Sequence, residues 1–388
     1  MSRDLHDFIT GPVELLALGE PTHPTREPVF GHLRNEVFAT LVDHGFRSIA
    51  VETDRIAALI VDDFIQGGPG NLDTVMSRGF SHGFGGLTAN RHLVDWMREY
   101  NRGRVVDERL TFHGFDIQAE NTSAHSPRGY LEHAGDYLGV DVGLASLFGT
   151  DDRWSREEAI LDPARSVGAG PEAVQLCAVA DDLLTDLHAR APELIAATSR
   201  ADWFRARTHL TGGIGLLRYH RAAARRIDEG ARISGLLATR DALMAQNLLD
   251  IRTLEQGRGA TLVAAHNSHL QRHRSTMNVA GMKLDFHSAG AIVDVLMAER
   301  YRVVIGSLGG SDALGLGRPV PDTYEGFLQA HTTGWGVTPA AAIPTARRRT
   351  DTRPEQVYSP LDQSTIDSAD AILHLADPTA VSGQGPMS

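Results

Sequence analysis

The chain has one cysteine, Cys177, in 388 residues. An intrachain disulfide is therefore impossible, and so is a metal site built from several thiolates. Positive charge is in deficit, with 37 Lys and Arg against 49 Asp and Glu and a formal charge of −12. Such a chain repels a phosphate backbone, so nucleic acid is not an expected partner. No uninterrupted apolar run reaches membrane-spanning length, and no membrane partner is expected. The opening MSRDLHDFITG has no apolar core segment of the kind a signal peptide needs. The expectation is a soluble cytoplasmic protein. Internal repeats are absent as well. H-E-x-x-H, C-x-x-C-H and the P-loop lysine pattern are also missing.

What is present is an ordinary globular balance, 42% hydrophobic and 22% charged, enough for a sizeable core in one large domain or in two to three smaller ones. Short runs rich in Val, Ile and Leu read as strands covered on both faces: VELLAL (13–18), RSIAVE (47–52), RLTFHGFD (109–116), ATLVAAH (260–266), YRVVIGS (301–307) and AILHL (371–375). Helical periodicity lies between them at 27–44, with Phe30, Leu33, Val37, Phe38 and Leu41 before Gly45, and at 87–100. This alternation predicts an α/β fold with a central, mostly parallel sheet flanked by helices. Strand signals vanish between 129 and 256, where PEAVQLCAVADDLLTDLHARA and DALMAQNLLDIRTL have helical spacing. The organisation expected is an N-terminal half of the core (1–128), a helical insertion covering the cleft (129–256) and a C-terminal half of the core (257–380). The stretch after Leu308 reads as loop-rich, and the final VSGQGPMS as disordered.

The residue types that close the strands carry the chemistry. "LLALGEPTHPTRE" (15–27) passes from an apolar strand straight into Glu20, His23, Arg26 and Glu27. The second strand ends on Glu52, the third on Asp116 with Gln118, and the fourth on His266, Asn267 and His269 in "AAHNSH". In open parallel sheets, ligands bind outside the carboxyl ends of the strands. Four strands delivering acids, amides and imidazoles to one edge therefore define a cleft. Singly, each has a plainer reading: a hydrogen-bonded histidine, a helix-capping Asp116, a Glu27 favouring the first turn of its helix. Together, Glu20, His23, Glu52 and His266 can tune a general base near neutral pH. "GFSHG" (79–83) matches G-x-S-x-G, but the residues before it are polar and not strand-like, so a flexible loop is expected rather than a nucleophile elbow at Ser81. "GSLGG" (306–310) reads as a tight turn. Glu20 with His23, and His266 with His269, are ligand types zinc accepts, yet their post-strand loops fix no helical face, and no metal is assigned. In the insertion, Trp203, Phe204, His209, Tyr219 and His220 read as packing residues, and Arg218, Arg221, Arg225 and Arg226 as a solvated face.

At these residues the chain resembles the erythromycin esterase family, which includes proteins labelled as succinoglycan biosynthesis proteins. The matching pieces are "LGEPTHPTRE", "SIAVETD", "WMREYN" with "FHGFDIQ", "RDALMAQN" (240–247), "AAHNSHLQ", "AGMKL", "YRVVIG" and "SPLDQSTIDSADAILHL". The resemblance implies an α/β core with a helical insertion and hydrolysis of a macrolide lactone without a metal or other cofactor. It places the water-activating histidine at His23, its acid at Glu20, the second-strand acid at Glu52, and the later histidines at His266 and His269. A cleft arginine falls on Arg34, with Arg26 as the alternative. Two departures stand out: Pro24 where the family usually has glycine, and "FGGLTANR" where it often places an acid near Ala89 or Asn90.

The function expected is an esterase or lactonase acting on a small, polyketide-like molecule in secondary metabolism or antibiotic resistance. Asp116, Gln118, Asn267, Arg34 and Arg26 are its expected substrate-binding residues. Two rivals are a non-hydrolytic acid–base tailoring enzyme for elimination, cyclisation or epimerisation, and a haem- or metal-binding module using the same imidazoles. The sequence does not define an oligomeric state.

Overall fold

The computed structural model describes residue 9 and residues 11–120, 122–141, 143–279 and 281–381. Most of VSGQGPMS, read from the sequence as disordered, lies outside these. Seven strands form one sheet: β1 (Leu15–Glu20), β2 (Phe46–Asp54), β3 (Thr111–Asp116), β4 (Ala260–His266), β7 (Tyr301–Leu308), β8 (Trp335–Pro339) and β9 (Ala371–Leu375). Their order is β3-β2-β4-β1-β7-β9-β8. All neighbours are parallel except β8 and β9. A separate antiparallel hairpin joins β5 (Ser275–Val279) to β6 (Met282–Phe286).

The apolar composition of β1 follows from its central place, where all six residues are buried. Successive side chains leave a strand on opposite faces. Leu16 and Leu18 join one core with Phe30, Leu33, Val37, Phe38 and Leu41, which belong to helix α1 (Val29–Asp43). Helices α2 (Ala58–Ile65), α3 (Leu72–Arg78) and α4 (Thr88–Asn101) pack on this same side. Leu15 and Ala17 join the opposite core with Met244, Leu248, Ile251, Val293 and Met297.

The helices between β3 and β4 include α5 (Arg128–Leu138), α6 (Pro171–Ala189), α7 (Arg200–Ala223) and α8 (Glu229–Leu254). The first three share their own core, with Leu131, Leu138, Leu176, Leu183, Leu187, Trp203 and Leu210. Trp203, Tyr219 and His220 are buried and Phe204 and His209 half-buried, whereas Arg218, Arg221, Arg225 and Arg226 are all exposed. Helix α8 does two jobs. Met244, Ala245, Leu248 and Ile251 lie on the sheet, while Leu236 and Leu243 meet Tyr130, Leu216 and Tyr219 of the insertion. The Asp228 side chain accepts the Ala231 N–H at its N-terminus. Helix α9 (Ala289–Met297) follows the hairpin, capped by Ser288.

The stretch after Leu308 holds more order than its composition suggests. Besides β9 it contains helical turns at Tyr324–His331 and Gln363–Ser368 and the strand β8. WGVTP escapes a pattern search because it is short and carries Gly and Pro. It is stable as a strand because it is at the sheet edge, where a missing N–H is tolerated. Glu27 is not in the first turn of α1: it stands ahead of the helix and its carboxylate accepts the Ser311 hydroxyl. Among the described residues, no helix is long and apolar enough to cross a membrane.

Candidate active site

The carboxyl ends of β1, β2, β3 and β4 converge at one edge. Glu20 and His266 are register partners across β1 and β4. Asn267 clamps that edge: its Nδ2 donates to the Gly306 carbonyl at 2.9 Å and its Oδ1 accepts the Gly306 N–H at 3.1 Å. The amide crosses β1 at Gly19, where a Cβ would sit 2.2 Å from Asn267 Oδ1. Both polar ends of Asn267 are thus spent on the scaffold. After Glu20 the chain turns at His23, whose carbonyl accepts the Arg26 N–H at 2.8 Å. Pro24 occupies the second position of this turn, where its fixed φ is favourable. Arg26 is exposed and leans to the Glu355 carbonyl at 3.5 Å.

The rings of His23 and His266 face each other, with centroids 5.1 Å apart and planes inclined by 31°. His266 Nδ1 accepts the Ser268 N–H at 3.2 Å and faces the Ser268 hydroxyl at 2.7 Å. With Nδ1 accepting, the neutral ring carries its proton on Nε2. That Nε2 is buried and has no protein hydrogen-bond partner among the described residues. Burial, and then the nearby His23, push the His266 pKa down to about 3; Glu52 opposes this, His269 adds to it, and the Pro21 carbonyl near the ring, outside good hydrogen-bond geometry, opposes it weakly. His23 is half-buried, and its ring makes no hydrogen bond to another described residue. Burial lowers its pKa as well. Glu52 opposes this, while His269, Arg240 and His82 add to it.

Glu52 is the hub. Its Oε2 accepts the His266 backbone N–H at 2.9 Å. Its Oε1 faces Arg240 Nη2 at 3.4 Å and His269 Nε2 at 3.5 Å. Burial alone would raise its pKa, but His269 and Arg240, with a smaller effect from His23, hold it below the usual carboxylate value. Arg240 leads on to Asp116, which it grips through Nε at 3.0 Å and through Nη2. Asp116 also meets His82 Nε2 at 2.9 Å and accepts the Ile117 N–H at 2.7 Å. It is wholly buried, and Arg240 and His82 overcome the burial penalty to keep it ionised. His82 continues to Glu120 through Nδ1 at 2.9 Å. Burial opposes its charge, but the hydrogen bonds to Asp116 and Glu120 push its pKa up to about 9. On the other flank, His269 Nδ1 meets Asp241 Oδ1 at 2.9 Å. A chain of alternating acidic and basic side chains therefore runs Glu120, His82, Asp116, Arg240, Glu52, His269, Asp241 next to the two facing imidazoles.

Glu20 lies outside this chain. It is buried, and no hydrogen bond or ion pair reaches its carboxylate among the described residues. Burial raises its pKa to about 7, helped by Glu52 and opposed by Arg34. Arg34 is buried and held by amides: Nε and Nη2 reach Asn35 Oδ1 at 3.1 and 2.8 Å, and Nη2 reaches Asn90 Oδ1 at 2.8 Å. Asn90 thus meets Arg34 in the stretch where the sequence resemblance expects an acid.

The structure brings together Glu20, His23, Glu52, His266 and His269, with Asp116 behind them. It turns Arg26 to the surface. Gln118 pairs with the insertion, accepting the Tyr130 hydroxyl at 2.6 Å. Asp116 serves Arg240 and His82 and does not cap a helix. Arg240, Asp241 and His82 are site residues that the strand-end reading missed. Arg240 and Asp241 are adjacent on α8, and the 100° step of a helix sends one to Asp116 and the other to His269. His82 lies in the G-x-S-x-G match with a left-handed φ of 57°, which costs energy outside glycine. Ser81 is no nucleophile elbow: helix α3, not a strand, precedes it, and its Oγ accepts the Asp54 N–H at 2.9 Å. Among the described residues, no three His, Cys, Asp or Glu side chains converge as metal ligands would.

A mostly parallel sheet flanked by helices, with a helical insertion and facing imidazoles beside a buried carboxylate hub at the strand ends, defines the protein as one of the α/β class. The family model described as Erythromycin esterase matches residues 41–376, and the chain belongs to that family. It is 25% identical over 271 residues to the erythromycin esterase type II of Escherichia coli, covering 68% of this chain and 62% of that protein, so the match spans less than two thirds of the relative's length. A Bacillus cereus crystal structure superposes with TM-score 0.67 at 16% identity, covering 96% of this chain and 90% of the other. A mutant of the erythromycin esterase EreC in its open conformation gives 0.65 at 16% identity, covering 99% and 96%. A succinoglycan biosynthesis protein gives 0.61 at 14%, covering 96% and 91%. At these identities the solved structures speak for the fold.

Proposed function

We propose that the protein is a carboxylic-ester hydrolase that activates water at His23 and cleaves an ester or lactone of a small molecule. The observation that carries this reading is the His23 ring: half-buried, free of described protein partners, biased to its neutral form, and facing His266. A neutral imidazole can take a proton from water as the water oxygen bonds to the carbonyl carbon. The carbonyl π pair moves onto oxygen, and the Nε2–H of His266, shielded from solvent in the free protein, donates to that oxygen in the substrate complex. Glu52, with its charge near His23, favours the imidazolium that forms. When the tetrahedral carbon collapses, the alkoxy C–O bond breaks and the alkoxide takes a proton. Glu20, poised near pH 7, supplies it and is recharged through solvent from His23.

The test is turnover of a panel of p-nitrophenyl esters and macrolide lactones in oxygen-18 water. One labelled oxygen is expected in the product carboxylate, and His23→Ala should cost about 100-fold or more in kcat. Full turnover by His23→Ala would overturn the assignment. Product without label would favour the non-hydrolytic acid–base reading.

A further inference from the structure

Asp241 is wholly buried in the middle of α8. Its Oδ1 receives two contacts, the His269 ring through Nδ1 at 2.9 Å and the Ala289 N–H at 2.9 Å. Its Oδ2 has no hydrogen-bond partner among the described residues. A fully buried carboxylate with one oxygen unsatisfied is costly unless a hydrogen-bonding partner compensates it. His269 is that partner, and its other nitrogen is 3.5 Å from Glu52.

We propose that Asp241 is a positioning residue acting through His269: its carboxylate fixes the ring's rotamer and keeps Nδ1 a donor, so that His269 remains an imidazolium bridging Asp241 and Glu52. The groups facing this ring are Glu52 from β2, Asp241 and Arg240 from α8, His23 beyond β1, and His266 at the end of its own strand β4. The two carboxylates favour the charge, while Arg240 and burial oppose it. The consequence reaches the reacting histidine. A positive His269 is among the charges that keep His23 neutral, and it balances Glu52, which holds the His266 backbone in place. Asp241 touches neither His23 nor the cleft, so it works at one remove. The kinetic consequence rests on the hydrolase reading above; the protonation of His269 does not.

Asp241→Asn tests this with little change of shape, because an amide oxygen still accepts from both Ala289 and His269. The first readout is the imidazole 15N spectrum of the full-length protein labelled at histidine, with His269 assigned by difference from His269→Gln. The wild-type ring should be doubly protonated through pH 6.5, and in Asp241→Asn its midpoint should fall by about one unit or more. A wild-type His269 already neutral at pH 6, or a midpoint unmoved by the substitution, overturns the proposal, and the wild-type measurement needs no variant. The second readout is kcat/KM against pH on the best p-nitrophenyl ester. Loss of the His269 charge raises the His23 pKa, so the acid limb should move to higher pH in Asp241→Asn. The same shift is expected in His269→Gln, with no further shift in the double variant. Shifts that add in the double variant would mean that Asp241 acts independently of His269, against the proposal. If no ester is turned over, the hydrolase reading fails while the spectrum still decides the role of Asp241.

Discussion

Glu52 accepts the backbone N–H of His266 at 2.9 Å with one carboxylate oxygen, and this single bond couples the ends of β2 and β4. The other oxygen faces two cations, Arg240 and His269. One buried acid therefore sets both the position of an imidazole and the potential around it. Replacing it by Gln keeps the hydrogen-bond acceptor and removes the charge. Glu52→Gln should lose about 3 kcal/mol of stability, as expected when a buried ion pair loses one partner, read from urea denaturation at pH 7. The Glu52 pKa is lower folded than unfolded, so its contribution is present above the unfolded value and vanishes as pH falls through the folded one. The difference between wild type and Glu52→Gln should therefore shrink below pH 4.

The pH dependence of kcat/KM follows from two groups shifted in opposite senses. His23, lowered, must be unprotonated, so activity rises as pH passes its pKa. Glu20, raised to about 7, must be protonated, so activity falls as pH passes that value. A bell with its alkaline limb near 7 is expected, and Glu20→Gln should abolish that limb while lowering the maximum. An unchanged alkaline limb in Glu20→Gln would remove Glu20 from the mechanism.

Arg34 opposes the rise in the Glu20 pKa through its charge. Arg34→Gln should therefore move the alkaline limb of kcat/KM to higher pH. A limb that stays put, or that moves down, would show that the guanidinium charge does not reach Glu20.

His82 contributes to stability in a different window. Its pKa is about 9 in the folded chain against 6.5 for the free side chain. The contribution is therefore complete below 6.5 and is lost as pH rises through 9. Because Glu120 is half exposed, the effect is discounted to about 2 kcal/mol. Unfolding free energy measured in urea should fall between pH 6 and pH 9.5 in the wild type, and the fall should be smaller by about that amount in His82→Gln, where the loss from groups such as Glu20 remains.

Gly19 is held to glycine by the Asn267 amide crossing it. Gly19→Ala forces that amide aside and should cost about 1–3 kcal/mol, the usual range for overpacking. Because the amide ties β4 to β7 next to His266, kcat should fall along with the melting temperature. A variant with wild-type stability and turnover would deny the clamp any part in the site.

Much of this architecture is legible in the sequence. ATLVAAH and AILHL coincide with β4 and β9, residue for residue, because strands covered on both faces are built mainly of apolar residues. β8 was not legible, because an edge strand of five residues with Gly and Pro has neither the length nor the alternation that marks a strand. The strand-end rule named Glu20, His23, Glu52, Asp116, His266 and His269, which the fold gathers at one edge, and also Arg26, Gln118 and Asn267, which the fold engages elsewhere. It could not find Arg240 and Asp241, which come from the middle of a helix and leave no mark of their own in a helical pattern. Nor could it find His82, whose place depends on a loop folding back onto Asp116.

The sequence by itself determined the strand-end acids and imidazoles and the edge they share, since apolar runs that end abruptly in polar groups have only one place to put them. Tertiary structure alone decided how those groups are charged. Glu20 rises to about 7 while Glu52 is held down, although both are buried glutamates near the carboxyl ends of strands in one sheet. The difference comes from partners brought across the fold: Glu52 receives Arg240 and His269 at short range, whereas Glu20 has no such pair among the described residues and only the more distant Arg34 opposing its burial.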